Sequence, residues 1–541
     1  MKRPITDIIW ERTPRAWQMK SRERCLGKFE SGSRDYLNVA TPGAGKSDYG
    51  LWVAHDFLQA GWAEQIIIVV PTEHLKKQMA KDAVKFGLDL DPYFKNSQGY
   101  VASDYHGYVT TYQAVGQDFT PHMNNVSNKK TIVIFDEIHH AGENLAWGDS
   151  VKKAFDGAIF RLAMSGTPFR SDDCMIPFVT YENKISRSDF EYTMAESIID
   201  NVCRPVYFKA FDGEFEWLIE EDKFKHTFKD IIEKDLASKR LRTALLADGN
   251  WLKAVIQDAD EKLCEIRSKD HRYAGGLIVT MDQKHAKQIA GIVHQLTGER
   301  PEVVISEDAG SSGKIEDFAN GRDKWIICVK MISEGVNIPR LRVGIYATIV
   351  KKELFFRQFT GRFVRHQMEL MEQDAFIYIP GDRDIVKIAR EIEQEREHAL
   401  EEVDKKEKEQ GENYNLFGEY EPARKGSFVP IGSEATTAIL VKSNVRIPNQ
   451  AELKNKPSIE RESVFQVKEK LKAQINRMAK VLAIRDANAT HFSQRPDFQK
   501  YHKMWIEKGG KNLEKETVEE MEQRLKWLKT MQGNNIAYGR I

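Results

Sequence analysis

A short glycine-containing segment near the N-terminus has the residue types of a phosphate-binding loop. Residues 40–47 are ATPGAGKS; they follow the apolar run YLNVAT and precede a helix-like segment. In such a loop, backbone N–H groups surround a phosphate at a helix N-terminus, and glycines let the backbone approach closely. Lys46 would contact the β- and γ-phosphates, and the Ser47 hydroxyl would bind Mg²⁺. Because Ala40 replaces the usual first glycine, a surface turn is the alternative interpretation.

A pair of carboxylates ends an apolar run further along the chain, in TIVIFDEIHH. Asp136 could hold Mg²⁺ through water, and Glu137 could orient and deprotonate an attacking water. Acidic pairs at strand ends are common, but together with the loop they favour phosphoryl transfer. His139 and His140 could be metal ligands. Adjacent histidines in a loop rarely share one metal, however, so a role in coupling nucleotide to movement is favoured.

A third group of polar residues occurs in RQFTGRFVR, residues 357–365. Gln358, Arg362 and Arg365 are spaced by four and three, which predicts one face of a helix. Two guanidinium groups near a γ-phosphate would stabilise transition-state charge. An arginine-rich solvated helix is the alternative, but it does not explain Gly361. If these arginines lie in a separate lobe, hydrolysis would depend on lobe closure.

Alternating apolar runs and helix-like segments predict the elements that position these groups. Such alternation is typical of doubly wound α/β domains with parallel sheets. The predicted strands of a first domain are 36–41, 65–72, 131–137 and 161–167, with helices over 48–58 and 73–86. The predicted strands of a second domain are 276–280, 302–306, 325–329, 343–348 and 375–380, followed by a helix over 385–410. Residues 171–272 lack the pattern and are predicted to be irregular.

The length of 541 residues favours about two to four domains. Lys and Arg balance Asp and Glu at 81 each, but residues 431–541 carry 21 Lys and Arg against 13 Asp and Glu. That region has an apolar stripe at helical spacing from Val464 to Leu482, which predicts a small basic helical module. The five cysteines are scattered, and we find no export signal or membrane-spanning run. These features predict a cytoplasmic protein without a membrane partner.

The chain resembles superfamily 2 DExH helicases and translocases over about residues 10–400, and its motifs occur in the order of that family. The resemblance rests on nine segments. In the N-terminal half they are PRAWQ (14–18, the upstream glutamine element), ATPGAGKS (40–47, motif I), VVPTEHLKKQ (69–78, motif Ia), VTTYQAV (109–115, motif Ib), DEIHH (136–140, motif II) and SGTPFR (165–170, motif III). Further along they are GLIVT (276–280, motif IV), ISEGVNIPRLRV (332–343, motif V) and QFTGRFVR (358–365, motif VI). The superfamily often lacks the first glycine of motif I, which favours the phosphate loop over the surface turn.

The resemblance implies a nucleic-acid-dependent ATPase or helicase that uses ATP and Mg²⁺, with a role for each matching residue. The implied catalytic residues are Lys46, Asp136, Glu137, Gln358, Arg362 and Arg365. The implied ATP-binding residues are Arg15, Gln18, Thr41, Pro42, Gly43, Ala44, Gly45, Lys46, Ser47, Gly335 and Asn337, and the implied metal ligands are Ser47 and Asp136. Coupling is assigned to His139, His140, Ser165 and Thr167, and nucleic-acid contacts to Thr72, Thr111 and Thr280.

Two departures bear on function. Asn337 stands where motif V usually has Asp, which keeps hydrogen bonding but removes charge. Motif VI lacks the start typical of DEAD-box RNA helicases. Together with DEIHH and SGTP, this form of motif VI resembles the branch that contains restriction-enzyme motor subunits, RadD-like repair helicases and phage helicases. That branch favours DNA over RNA as the substrate.

The implied architecture is two tandem RecA-like P-loop domains plus a small helical C-terminal module. The expected boundaries are 1–200 for the first lobe, 201–400 for the second lobe, 401–430 for a charged helix end and linker, and 431–541 for the module. The basic face of the module suits a phosphate backbone, a protein partner, or docking on a lobe. Two other functions stay open: an RNA helicase of the same architecture, and a nucleotide-gated scaffold of a defence complex with little unwinding.

Overall fold

The computed structural model describes residues 5–10, 13–142, 145–166, 176–182, 185–219, 222–269, 271–305, 311–329, 338–367, 373–410, 463–489 and 497–533. These residues fall into two compact units. The first lies within Met1–Asn38, Lys46–Phe190 and Lys454–Ile541, and the second within Val39–Gly45 and Glu191–Leu453. The expected boundaries at residues 200, 400 and 430 stay predictions. No helix among the described residues combines the length and the apolar character needed to cross a bilayer.

Among the described residues, nine strands precede the main part of the second unit. They are β1 Asp35–Ala40, β2 Gln65–Val70, β3 Leu90–Asp91, β4 Gly107–Thr111, β5 Thr131–Phe135, β6 Phe160–Ser165, β7 Tyr181–Glu182, β8 Ile185–Ser186 and β9 Phe190–Tyr192. Seven of them form one sheet in the order β3-β4-β2-β5-β6-β1-β9. β2 pairs in parallel with β4 and β5 at the centre of the sheet. Every residue of β2 and β5 is buried, as expected for parallel strands covered on both faces.

In the part of the chain that the structure describes, six helices accompany this sheet. They are α1 Ala16–Glu30, α2 Lys46–Gln59, α3 Glu73–Ala83, α4 Tyr112–Gln117, α5 Thr120–Asn128 and α6 Leu145–Phe155. The strands and helices predicted for the first domain are therefore confirmed, although α3 continues only as a 3₁₀ turn from Val84 to Phe86. The segment between β1 and α2 is the predicted phosphate loop.

The second unit contains a six-stranded, fully parallel sheet in the order β10-β17-β16-β13-β15-β14. Its strands and one separate hairpin are β10 Val206–Phe211, β11 Glu214–Ile219, β12 Asp222–Thr227, β13 Gly275–Thr280, β14 Glu302–Val304, β15 Trp325–Val329, β16 Leu341–Ala347 and β17 Ala375–Pro380. Its helices are α7 Met194–Ile199, α8 Lys234–Ala244, α9 Asn250–Ser268, α10 Gln283–Thr297, α11 Ser311–Asn320, α12 Glu353–Thr360 and α13 Arg383–Gln410. The predicted α/β class with two tandem RecA-like domains is confirmed.

The prediction that residues 171–272 are irregular is wrong for much of the described part. This region holds β10, the antiparallel hairpin β11–β12, α8 and α9. The hairpin sequences EFEWLI and DKFKHT alternate apolar and charged residues because one face of a two-stranded ribbon is solvated. Their charged residues made these strands resemble loop sequence; they are Glu214, Glu216, Asp222, Lys223 and Lys225.

The C-terminal module is a set of three helices, α14 Val464–Ala489, α15 Lys500–Glu507 and α16 Val518–Gly533. Its small core is made of side chains from all three helices. They are Ile475, Ala479, Leu482, Tyr501, Met521, Leu525 and Leu528. The stripe predicted from Val464 to Leu482 is confirmed as the packed face of α14.

Two aspartates of the first sheet region hold this module. The Val464 N–H, at the start of α14, donates to Asp89 Oδ1 over 3.1 Å. The Val518 N–H, at the start of α16, donates to Asp104 Oδ2 over 3.0 Å, and Lys468 Nζ donates to Asp104 Oδ1 over 3.0 Å. A carboxylate at a helix N-terminus is favoured by the helix dipole. For Lys468, the structure therefore supports docking on a lobe over contact with a phosphate backbone or a protein partner.

Candidate functional site

The loop between β1 and α2 has the backbone that a phosphate loop needs. Gly43 and Gly45 have φ values of +83° and +89°, which side chains with a Cβ atom rarely adopt. The Thr41 N–H donates to the Tyr192 carbonyl over 2.9 Å, and the Ala44 N–H donates to the Thr41 carbonyl over 3.1 Å. These bonds fix the entry and the turn of the loop.

The structure brings Lys46 and Glu137 together, and their catalytic roles stay predictions. Lys46 begins α2, and its Nζ lies 3.3 Å from Glu137 Oε1. The other carboxylate oxygen, Oε2, accepts the Gly166 N–H over 3.0 Å. Only 9% of the Lys46 side chain and 22% of the Glu137 side chain are exposed. The loop lysine, the motif II glutamate and the motif III backbone therefore form one hydrogen-bonded cluster.

The two neighbouring carboxyl groups have opposite protonation tendencies. Burial, and then the charge of Glu137, raise the pKa of Asp136 to about 7. Burial alone would also raise the pKa of Glu137, but the Lys46 ammonium and then His139 lower it to about 2. Glu137 is therefore the charged member, held by the cation of the loop.

Glu137 also has an unusual backbone conformation, with φ at +51°. A non-glycine residue in the left-handed region costs about 1 kcal/mol or more, and such residues often occur at functional sites. The strand ends at Phe135, and the 3₁₀ turn Ile138–Gly142 begins at once. This sharp turn directs the Glu137 carboxylate to Lys46 and Gly166.

Three of the four predicted coupling residues lie close together, and their coupling role stays a prediction. Nδ1 of His139 lies 3.3 Å from Ser165 Oγ and 3.5 Å from Glu137 Oε2. His139 and His140 are both buried, with ring centroids 4.6 Å apart. His139 thus links the motif II carboxylate to the end of β6. Thr167 lies outside the described residues.

Gln358 and the two arginines do not share one helix, so that prediction is wrong. α12 ends at Thr360 with Gly361 as its C-cap, which leaves Gln358 in the helix and both arginines beyond it. Arg365 instead makes an isolated antiparallel bridge with Cys203. Past Gly361 the chain turns: the Arg362 and Phe363 N–H groups donate to the Phe359 and Thr360 carbonyls, over 3.0 and 2.9 Å. The carbonyls of residues 363 and 364 accept from Arg204.

Arg365 nevertheless lies beside the loop segment that belongs to the same compact unit. A Cβ atom at Gly43 would lie 3.2 Å from Val364 Cγ2 and 3.7 Å from Arg365 Cγ. Within the described residues, Nη1 of Arg365 is buried without a hydrogen-bond partner. Burial, and then the neighbouring Arg362, lower the pKa of Arg365 to about 9. A bound anion would satisfy this guanidinium.

The upstream glutamine element is placed at the start of α1. Gln18 is buried, and its Oε1 accepts the Arg15 N–H over 2.9 Å. The side chain of Gln18 thereby caps the helix, and its predicted contact with adenine stays a prediction.

The three threonines assigned to nucleic acid lie at strand ends with different exposure. Thr72 is half-buried at the N-cap of α3. Thr111 is 4% exposed, and its hydroxyl accepts the Ala114 N–H over 3.1 Å. Thr280 is fully buried, and its hydroxyl donates to the Cys328 carbonyl over 2.9 Å. The nucleic-acid contacts stay a prediction, and exposure favours Thr72 among the three.

The residues present fit a triphosphate and a divalent cation. Lys46 and the loop N–H groups offer donors to phosphate oxygens. Asp136 and Ser47 offer the oxygen ligands that Mg²⁺ prefers. A cation would also stabilise the ionised form of Asp136, which burial and Glu137 disfavour. Gly335 and Asn337 lie outside the described residues, so their predicted ATP contacts stay predictions.

Two contributors to this arrangement were missed in the sequence. The Gly166 N–H, which binds Glu137, belongs to a recognised motif, but a backbone donor has no residue signature. Arg204, which bonds the main chain beside Arg365, lies in the region predicted to be irregular. Nothing in its local sequence indicates that role.

Comparisons with known proteins agree with this geometry. Residues 11–170 match the family model for the type III restriction enzyme, res subunit. An uncharacterized protein of Mycobacterium tuberculosis is 41% identical over 392 residues, which cover 71% of this chain and 64% of that protein. A Mycobacterium leprae protein is 42% identical, covering 71% and 65% of the two chains. The chain thus spans just under two thirds of the length of these relatives.

Solved structures show the fold. A fragment described as an HsdR subunit of a type I restriction enzyme from Vibrio vulnificus superposes with a TM-score of 0.50 at 17% identity. The match covers 70% of this chain and 66% of that fragment.

Proposed function

Because this chain is a relative of the superfamily 2 helicases, near the restriction-enzyme motor subunits, we propose that it is an ATP-driven nucleic-acid motor. It hydrolyses ATP with Mg²⁺ and uses the energy to move along nucleic acid or to separate its strands. DNA is the proposed substrate, and the cytoplasm is the proposed location. The family description of residues 11–170 supports DNA, since restriction enzymes act on it.

One observation carries the proposal: Lys46, Glu137 and the Gly166 N–H meet in one cluster. The distances are 3.3 Å from Lys46 Nζ to Glu137 Oε1 and 3.0 Å from Glu137 Oε2 to the Gly166 nitrogen. A phosphate-binding lysine, a base and a backbone sensor are the parts that ATP hydrolysis by this kind of site requires. A solvated turn at residues 40–47 would not bury its lysine against a strand-end carboxylate.

In the proposed reaction, a water oxygen attacks the γ-phosphorus, and the bond from that phosphorus to the β–γ bridging oxygen breaks. Glu137 orients the water and accepts its proton, while the bridging oxygen leaves with ADP. Mg²⁺, when bound by Ser47 and Asp136, would neutralise charge on the phosphate oxygens. Lys46 and Arg365, with Arg362, donate to oxygens that gain charge in the transition state.

The ion pair also implies a competition for Lys46. Its ammonium contacts Glu137 Oε1 at 3.3 Å, and it would have to leave this carboxylate to reach the phosphates of ATP.

The test is ATP turnover by the whole chain against ligands of matched length. The panel is single-stranded DNA, duplex DNA, forked DNA and single-stranded RNA. We expect DNA to raise kcat and RNA to raise it less. Equal rates with and without every ligand would refute the motor and favour a nucleotide-gated scaffold. Stimulation by RNA alone would instead favour the RNA helicase.

A further inference from the structure

Arg204 is among the largest fully buried side chains of the described residues, at 1% exposure. It lies between α7 and β10. No acidic side chain in the described part of the chain pairs with its guanidinium. Burial, and then the charges of Arg342 and Arg365, lower the pKa of Arg204. Burying a guanidinium among like charges is costly, so its hydrogen bonds must compensate.

Those hydrogen bonds go to main-chain carbonyls beside the motif VI arginines. Nε of Arg204 donates to the Phe363 carbonyl over 2.7 Å, and its backbone N–H donates to the Val364 carbonyl over 2.7 Å. Phe363 and Val364 are the two residues that separate Arg362 from Arg365. Arg204 therefore holds the short segment from which both arginine side chains extend.

A third bond ties this segment to another functional stretch. Nη2 of Arg204 donates to the Pro339 carbonyl over 2.6 Å. Pro339 lies within residues 332–343, the segment that resembles motif V. The preceding residue, Cys203, bridges to Arg365 and donates its Sγ hydrogen to the Pro42 carbonyl over 3.5 Å. One dipeptide thus contacts motif VI, motif V and the loop segment within the second unit.

We propose that Arg204 is a positioning residue for the hydrolysis reaction. It fixes the main chain between Arg362 and Arg365, so that their guanidinium groups meet the phosphate oxygens. It does not touch the substrate itself. The inference rests on the proposed function, because it assumes that Arg362 and Arg365 act on ATP.

The first experiment compares Arg204→Lys with a matched control, Arg240→Lys. Arg240 is also buried in the second unit, at 3% exposure, and it too donates to carbonyls, those of Thr227 and Asp230. Lysine keeps the charge but cannot bond two carbonyls in a fixed fork. We expect R204K to lower DNA-stimulated kcat by about ten- to a hundredfold, the effect of a roughly 1 Å misplacement, with a smaller change in KM for ATP. R240K should lose similar thermal stability and keep its kcat.

The second experiment asks whether Arg204 acts through Arg365. The kcat values of R204K, R365A and the double variant form a double-mutant cycle. We expect R204K to lower kcat when Arg365 is present and to have little further effect on kcat in the R365A background. An equal fold-loss in both backgrounds would overturn the positioning role. An R365A variant with normal kcat would instead count against the proposed function.

A folding defect in R204K can be separated from a loss of positioning. Each kcat is divided by the fraction of chains that bind a fluorescent ATP analogue, which counts folded sites. If R204K binds too little nucleotide, Arg204→Gln provides a neutral donor at the same position. A normal kcat per binding site in both variants would refute the inference.

Discussion

Replacing Glu137 with Gln is the sharpest test of the site. The amide keeps the size of the side chain and retains an oxygen for the Gly166 N–H, which now lies 3.0 Å from the carboxylate. The backbone at φ +51° is unchanged, so the variant should fold. What is lost is a base for the attacking water and the negative partner of Lys46.

The two losses predict opposite effects on turnover and on binding. Removing a general base lowers kcat by about 10² to 10⁴, which is about 3–5 kcal/mol of transition-state stabilisation. The pair with Lys46 must break before the lysine can reach phosphate. An exposed pair contributes up to about 1 kcal/mol and a largely buried pair such as this one contributes more, so ATP should bind at least about fivefold more tightly to the variant.

The assays are single-turnover hydrolysis with saturating DNA and equilibrium binding of a fluorescent ATP analogue. Glu265→Gln is the matched control, since Glu265 pairs with Lys262 and Lys269 on α9 of the second unit. We expect E265Q to match the parent protein in both assays. A Glu137→Gln variant whose kcat falls less than about tenfold would refute the assignment of the base. Weaker ATP binding would refute the competition for Lys46.

Three further predictions use other contacts. Lys46→Ala should abolish ATP turnover and weaken ATP binding, because the phosphates lose their cation; hydrolysis within about tenfold of the parent rate would contradict the loop assignment. Gly43→Ala should lower the thermal midpoint more than Gly61→Ala, because both need positive φ but only Gly43 has a neighbour within 4 Å of the added Cβ; equal shifts would exclude that contact as a cause. Asp104→Ala should lower the free energy of unfolding, measured with urea, by about 3–5 kcal/mol, because it leaves the largely buried Lys468 ammonium unpaired and removes the cap of α16. Hydrogen exchange in α14 and α16 should become faster in the same variant. Unchanged exchange would show that the module does not depend on this carboxylate.

The sheets and the phosphate loop were predictable because their signals are local. β2 and β5 are continuous apolar runs, as strands buried on both faces must be. The loop glycines, Lys46 and Ser47 stand next to one another in the sequence, so their joint chemistry is visible without the fold. The meeting of Lys46 with Glu137 followed from the expected order of motifs.

The course of the chain after α12 was not predictable from the spacing of these residues. The spacing of Gln358, Arg362 and Arg365 suits a helix, and no proline interrupts it. The helix nevertheless ends at Thr360, and the Phe363 carbonyl beyond it is bonded by Arg204, which lies 159 residues earlier in the chain. Hydrophobic periodicity reflects only residues that are close in sequence. A buried arginine that donates to main-chain carbonyls leaves no periodic pattern in the sequence.

The capping of the C-terminal helices by Asp89 and Asp104 has a consequence for biosynthesis. Asp104 and the Val518 N–H that it binds are 414 residues apart in the chain. At about 5–20 residues per second, a ribosome needs about 20 to 80 s to add the partner after the aspartate. Tyr105 stays uncovered on the nascent chain until Lys468, which lies 364 residues after Asp104 and 4.2 Å from the ring centroid of Tyr105, has been added. The second unit is therefore translated in full before the first can be completed, and a chain truncated ahead of residue 464 would leave this surface open to chaperones and proteases.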